Sequence, residues 1–337
     1  MFIPKYSFLY RLLALLIVLT TFSAYAQTQK YPSSYTVAQD GSGDFKTIQE
    51  AINIVRDLSQ QVVTINIKKG IYHEKLIVPG WKDNIVLKGE DPTNTIITNA
   101  DYSGKAYPSG KDQFGRDKYS TYTSFTLLVQ GHDFRAENLT IENTSGRVGQ
   151  AVALHVEGDR CIIRNCRLLG NQDTLFATNE SSRQFYDNCY IAGTTDFIFG
   201  EAVAVFRNCT LQSLSNSFIT AASTTQRQKF GFVFLDCKLR ADKEATKVFL
   251  GRPWRPNAKT VFINCDMEKH IVPEGWNNWG NVDNEKTVLY AEYKTTGESN
   301  VANRVKWGKQ LTSKEAKAYT ISNILAGADN WNPADIK

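Results

Sequence analysis

RNCRLLGNQDTLF, Arg164 to Phe176, returns 23 residues later as DNCYIAGTTDFIF, Asp187 to Phe199. Each copy carries Asn-Cys, an aspartate seven residues after the cysteine, and a short apolar run rich in strand-forming residues. The frame extends in both directions. Five cysteines follow Asn or Asp: Cys166, Cys189, Cys209, Cys237 and Cys265, and Leu139 in ENLTI takes the same place one unit earlier. The steps from Leu139 onward are 27, 23, 20, 28 and 28 residues. A unit of this size with variable insertions reads as one turn of a solenoid. Short alternating and β-branched runs dominate and helical periodicity is absent from the units, so the expected fold is all-β, a parallel β-helix.

In such a fold, equivalent residues stack about 4.8 Å apart on successive coils. The cysteines then form an inward ladder of small apolar side chains. That spacing lies within disulfide Cα distances, and Cys189 and Cys209, on the shortest coil, are the favoured pair if any rungs oxidise. Thr47-Ile48-Gln49-Glu50 has capping-box spacing, and Ile48, Ala51, Ile52 and Val55 follow at helical spacing. A short helix is predicted there, closing the N-terminal end. A second helix is predicted from Thr312 to Leu325, along the outside of the solenoid or near its far end.

The chain has 337 residues, 42% of them hydrophobic, enough for a large core in one elongated domain. Lys5 and Arg11 precede an apolar run, Leu12 to Phe22, and Ala24-Tyr25-Ala26 offers small residues for cleavage. Residues 1–26 read as a secretory signal peptide cut before Gln27, leaving a domain over 27–337 that is secreted or periplasmic. No later run approaches a membrane span. The formal charge of +5 falls to +3 once Lys5 and Arg11 are removed. That balance permits an acidic substrate and lacks the dense basic stripe of a nucleic-acid binder.

Asp173 and Asp196 share one frame, so they are expected on consecutive coils about one strand spacing apart. Taken singly, each reads first as a turn aspartate. Taken together, two close carboxylates do not both ionise readily; one bare and one protonated group make a nucleophile beside a general acid. Carboxyls about 5 Å apart also suit a retaining glycosidase. Gln172 and Gln150 carry N–H donors of the kind an oxyanion requires, and a glycosidase has no such oxyanion. Arg252, in LGRPW, offers a fork that can hold Asp196 charged. His73, His132, His155 and His270 lie in no triad-like context, which argues against a serine esterase.

At these residues the sequence resembles the pectin methylesterase (pectinesterase) family. GIYHE (Gly70–Glu74), QAVAL (Gln150–Leu154), QDTL (Gln172–Leu175), DFIFG (Asp196–Gly200) and LGRPW (Leu250–Trp254) match its signatures in order. YTVAQDGSGDFKTIQEAI, EGWNNW and YAEYKTTG agree as well, so the resemblance covers nearly all of the chain after the leader. One departure is Asp101 to Tyr122, which is longer than usual and of mixed charge.

The resemblance implies a right-handed β-helix with an open groove, no cofactor and no metal. It implies Asp196 as nucleophile, Asp173 as acid then base, Gln150 and Gln172 facing the oxyanion, and Arg252 as partner of Asp196. Thr126, Gln150, Phe199, Arg252 and Trp254 are implied to contact substrate. The implied partner is methyl-esterified polygalacturonate, bound by a monomer. Two rivals remain at this stage. One is a pectin depolymerase, lyase or hydrolase, although no acidic cluster has calcium-ligand spacing. The other is a non-catalytic carbohydrate-binding β-helix using Trp254, Trp276 and Trp279 as exposed rings.

Overall fold

Short strands separated by Asn, Asp and Gly cannot bury their apolar faces alone, and here they do so by stacking coil on coil. In the computed structural model, residues 31–299 and 301–336 are described. The expected leader and its cleavage site lie outside the described residues. The compact unit runs Ser33–Lys337.

Three parallel sheets of eleven, nine and seven strands, here A, B and C, form the walls of a right-handed β-helix among the described residues. One coil runs through Cys161–Arg164 in sheet A, Arg167–Leu169 in sheet B and Leu175–Ala177 in sheet C. The next repeats it with Arg183–Asp187, Tyr190–Gly193 and Ile198–Gly200. Arg164 pairs with Asp187, Arg167 with Tyr190 and Leu175 with Ile198. All three offsets are 23, so no bulge separates the cysteine frame from the aspartate frame.

The Asn or Asp before each cysteine has a backbone reason. Asn138, Asn165, Asn188, Asn208, Asp236 and Asn264 all sit at φ between 53° and 56°, turning the chain from sheet A into sheet B. Side chains other than Gly, Asn and Asp adopt that left-handed region at a cost. The amides also stack: Asn188 Nδ2 donates to Asn165 Oδ1 at 2.8 Å. Behind them the cysteine ladder points inward, with every rung buried.

All six cysteines are free thiols, including Cys189 and Cys209. Parallel in-register stacking keeps neighbouring Cβ atoms about as far apart as the Cα atoms, whereas a disulfide needs them near 3.8 Å. The Cys189 and Cys209 thiols instead lie against backbone carbonyls of the same and preceding coils, at 3.3–3.5 Å. Beside them Tyr186, Phe206, Phe234 and Phe262 stack face to face at 4.4–4.6 Å, one ring per coil. This ladder fills the centre of the solenoid, each ring contributing about 1.5–3 kcal/mol by burial.

Helix α1, Ile48–Ile54, closes the N-terminal end with the expected capping box between Thr47 and Glu50. Its apolar residues Ile48, Ala51 and Ile52 are buried on the core. Glu74 of GIYHE lies at its start, where the carboxylate accepts from the backbone of Ile48 at 2.9 Å and of Gln49 at 3.0 Å. A negative charge at a helix N-terminus is stabilising, so this signature holds the cap.

The single C-terminal helix expected over Thr312 to Leu325 is two: α2, Ser313–Ala316, and α3, Ile321–Leu325. Thr320 breaks the run because its side chain caps α3 by accepting from Asn323 N. Ile324 and Leu325 pack on the outer face of sheet A against residues such as Phe185 and Val205. The position along the outside is as expected.

Sheet C places the site. Its alternation sends Leu154, Leu175 and Ile198 into the core and His155, Phe176, Phe199, Ala221 and Arg252 outward in one paired row. Phe176, Phe199 and Ala221 belong to an apolar patch outside the main core, with Trp254 against it.

Candidate active site

The turn from sheet B into sheet C is drawn tight at Gly193, where an added Cβ would sit 2.2 Å from Phe197 Cβ. That closeness brings the chain up to Asp196 at the mouth of its strand. Asp173 and Asp196 both take left-handed backbone, at φ 67° and 48°. Asp173 N donates to Thr195 O at 3.0 Å, and Asp196 N to Phe218 O at 2.8 Å, so they occupy equivalent places on consecutive coils. Both are buried, at 7% and 5% exposure.

Arg252 reaches across from the coil after next. Its Nε donates to Asp196 Oδ1 at 2.9 Å and its Nη2 to Asp196 Oδ2 at 2.7 Å. The guanidinium lies 4.0 Å from the ring centre of Phe218 and 3.7 Å from that of Trp279. Two aromatic faces therefore hold the fork in the plane that bidentate pairing needs. Gln150 and Gln172 are paired neighbours on successive coils, and both line the cleft. Among the described residues neither side-chain amide has a protein partner, which leaves their N–H groups available.

The two carboxyls differ in electrostatics. Burial pushes Asp173 well above the usual carboxylate range, and the charge of Asp196 pushes it further, with Arg252 only partly opposing. Burial also raises Asp196, but the two hydrogen bonds and the charge of Arg252 pull it back. The proton of the pair therefore rests on Asp173, and Asp196 is the bare partner.

This difference has a consequence for stability. A carboxyl raised in the folded state gives full stability below its unfolded pKa, near 3.9, and loses it as pH rises through the folded value. Asp173→Asn keeps shape and left-handed backbone but cannot ionise. Its Tm is expected to exceed that of the wild type at pH 7 and above, with the difference vanishing below about pH 4. Thermal melts across that range check it.

A cleft of about 340 Å³ brings together Gln150, Gln172, Asp173, Asp196, Arg252, Phe199 and Trp254. Thr126 is not among them. It is fully buried, and its hydroxyl donates to the Glu142 carbonyl at 2.8 Å, so its position on the inner side of the wall denies it to substrate. Thr121 and Tyr122 line the cleft instead. Trp276, expected as an exposed ring, is buried and packs 4.5 Å from Tyr290. Of the EGWNNW pair only Trp279 reaches the site. It holds a left-handed φ of 62°, with its N–H bound to Asn277 Oδ1 at 2.8 Å. Its contact with Arg252 was not read from the sequence; the Asn-rich turn before it was the available signal.

A buried carboxyl pair, a clamped arginine and two free amides in one groove define a class of parallel β-helix with a paired-carboxyl cleft. Within that class the chain belongs to the pectinesterase family, whose profile matches residues 34–328. It is 38% identical to the probable pectinesterase/pectinesterase inhibitor 64 of Arabidopsis thaliana, over 88% of this chain and 51% of that protein. Putative pectinesterase 11 of the same plant is also 38% identical, over 88% of this chain and 80% of that one. The chain spans about half the length of several of the curated relatives it matches. Among solved structures, pectin methylesterase from carrot superposes with a TM-score of 0.81 at 34% identity, covering 90% of this chain and 96% of that one. A pectin methylesterase in complex with a hexasaccharide gives 0.76 at 30% identity, covering 90% and 99%.

Proposed function

We propose that this protein hydrolyses the C6 methyl esters of polygalacturonate, releasing methanol and leaving pectate. The observation that carries this reading is the asymmetry of the carboxyl pair: Asp196 clamped in bidentate fashion by Arg252, Asp173 buried without a cation of its own. Asp196 attacks the ester carbonyl. Gln150 and Gln172 donate to the oxyanion that forms. As the tetrahedral species collapses, the C–O bond to methoxide breaks and the proton of Asp173 leaves with it as methanol. The substrate is then an anhydride of Asp196. Asp173, now a carboxylate, takes a proton from water, and the hydroxide attacks the substrate carbonyl of the anhydride, freeing Asp196. Phe199 and Trp254 offer the apolar surface on which the sugar rests. The hexasaccharide in one related structure supports a polymer in this groove.

Methanol release from highly methylated pectin by the purified chain tests the reading. Absence of methanol would overturn it; chain shortening with a new ultraviolet-absorbing end would replace it with a lyase, and binding without either product with a non-catalytic carbohydrate-binding β-helix. Gln150→Ala and Gln172→Ala are each expected to lower kcat by about 10²–10³, or roughly 3–4 kcal/mol, with little change in KM. Export as a monomer is part of the same proposal. It is supported by the apolar N-terminal run and the small residues at 24–26, and is tested by N-terminal sequencing of exported protein and its sedimentation.

A further inference from the structure

Gln150 enters the cleft from a loop, residues 144–149, that leaves sheet B at Asn143. The start of the loop is firm. The Asn143 amide donates to Asp101 O, Ser124 O and Val152 O at 2.8–3.2 Å, Thr144 N to Asn99 O at 2.9 Å, and Ser145 N to Asn143 Oδ1 at 3.0 Å. From Gly146 to Val148, however, no backbone group has a hydrogen bond among the described residues. Packing does not take over. Val148 is 48% exposed, and a Cβ added at Gly146 or Gly149 would meet nothing within 4 Å. Both glycines take left-handed backbone, at φ 84° and 113°, where the chain is least restrained by sterics.

One side chain ties this loop down. Arg147 Nη1 donates to Glu244 Oε2 at 3.0 Å, and its Nη2 to Leu214 O at 3.1 Å. Leu214 and Glu244 follow the strands Thr210–Ser213 and Lys238–Ala241, the third and fourth beyond Thr140–Asn143 in the order of sheet B. The two coils between carry Gln172 and Asp173 in one turn and Asp196 in the next. Arg147 therefore bridges the turns that hold both carboxyls, a span of about 14 Å at three strand spacings. Its anchor is itself fixed: Leu214 N donates to Gly193 O at 2.9 Å, on the coil of Asp196. Beyond the loop, Ser103 N donates to Gln150 O at 2.9 Å and Ala151 N to Gln172 O at 3.1 Å. Those bonds hold the carbonyl side of Gln150. Its nitrogen, and with it the direction in which the side chain leaves the backbone, follows the loop. An exposed ion pair such as Arg147 with Glu244 adds little to global stability. What it supplies here is local order, and an oxyanion donor works only if it is in place when the charge develops. We propose that Arg147 is a positioning residue for Gln150, tying the loop to Leu214 and Glu244 so that the amide stands where the oxyanion forms. It rests on the esterase reading above.

Two measurements test it, one of them independent of turnover. Arg147→Ala is expected to lower kcat for methanol release from highly methylated pectin by about tenfold, with KM changed by about twofold or less. In a Gln150→Ala background the same change is expected to cost about twofold or less, because the group it positions is gone. Equal losses in the two backgrounds would overturn the proposal, as would an unchanged kcat in the single variant. The second measurement is amide hydrogen exchange, followed by mass spectrometry on fragments covering 146–153. Arg147→Ala is expected to speed exchange at Ala151 by about tenfold and to leave the strand Leu154–Val156 as in the wild type. Unchanged exchange at Ala151 would also overturn it. A wild-type chain that released no methanol would sink the esterase reading, and the exchange measurement would still decide whether Arg147 orders the approach to Gln150.

Discussion

Asp196→Asn is expected to abolish methanol release, by a factor on the order of 10⁴–10⁶, while the far-ultraviolet spectrum of the β-helix stays unchanged. The size of the effect follows from what the amide lacks. Asparagine matches aspartate in shape and is at home at the φ of 48° that this position requires. It keeps the backbone bond to Phe218 O. What it loses is the lone-pair density of an ionised oxygen that must form the anhydride, and no other carboxylate can take over. Asp173 lies one coil away but holds a proton, and Arg252 faces Asp196 in bidentate fashion. Assay with highly methylated pectin, with circular dichroism as the control for folding, decides it. Turnover within tenfold of wild type would end the assignment of Asp196.

Arg252→Ala is expected to be the more damaging substitution for the molecule as a whole. Asp196 is 5% exposed and is left without its partner. Breaking one side of a buried ion pair costs about 3–5 kcal/mol, because the remaining charge is neither solvated nor matched. The packing of Arg252 between Phe218 and Trp279 is lost with it.

The sign of the pH dependence separates these effects. Arg252 is what opposes the upward push of burial on Asp196; without it the Asp196 pKa climbs further. A carboxyl raised in the folded state contributes full stability below its unfolded pKa and loses it as pH rises. The variant should therefore come nearest to wild-type stability near pH 4 and fall furthest behind at neutral pH. Catalysis needs Asp196 ionised, so the acidic limb of kcat/KM should move to higher pH and the rate should partly recover on that side. Arg252→Lys supplies charge without the planar fork and should restore stability better than rate. An Arg252→Ala enzyme with an unshifted acidic limb would show that the arginine does not tune Asp196.

The legibility of this protein was uneven, for physical reasons. Cys166 and Cys189, 23 residues apart, foretold the register of three sheets because a solenoid repeats its contacts at the same interval as its residues. The equivalence of Asp173 and Asp196 followed by counting. Thr126, implied only by the resemblance, failed because alternation breaks where its strand begins: Thr126 and its neighbour Leu127 are both buried toward the core, while Leu128 faces the outer patch. Trp276 and Trp279 failed as a pair for a similar reason: three residues apart on an irregular turn, one ring points into the core and the other onto Arg252. The disulfide failed because Cα spacing permits what the parallel direction of the side chains forbids.

By itself, then, the sequence determined the repeat, the class of fold, the cap at the first coil and most of the residues that meet in the cleft. All of these depend on residue type and interval along one chain. The tertiary structure alone decided which carboxyl keeps the proton and which aromatic faces clamp the guanidinium. Those are properties of burial and of distances between coils. The charge state of an aspartate is set by the dielectric and the partners around it, and the intervals along the chain carry no record of either.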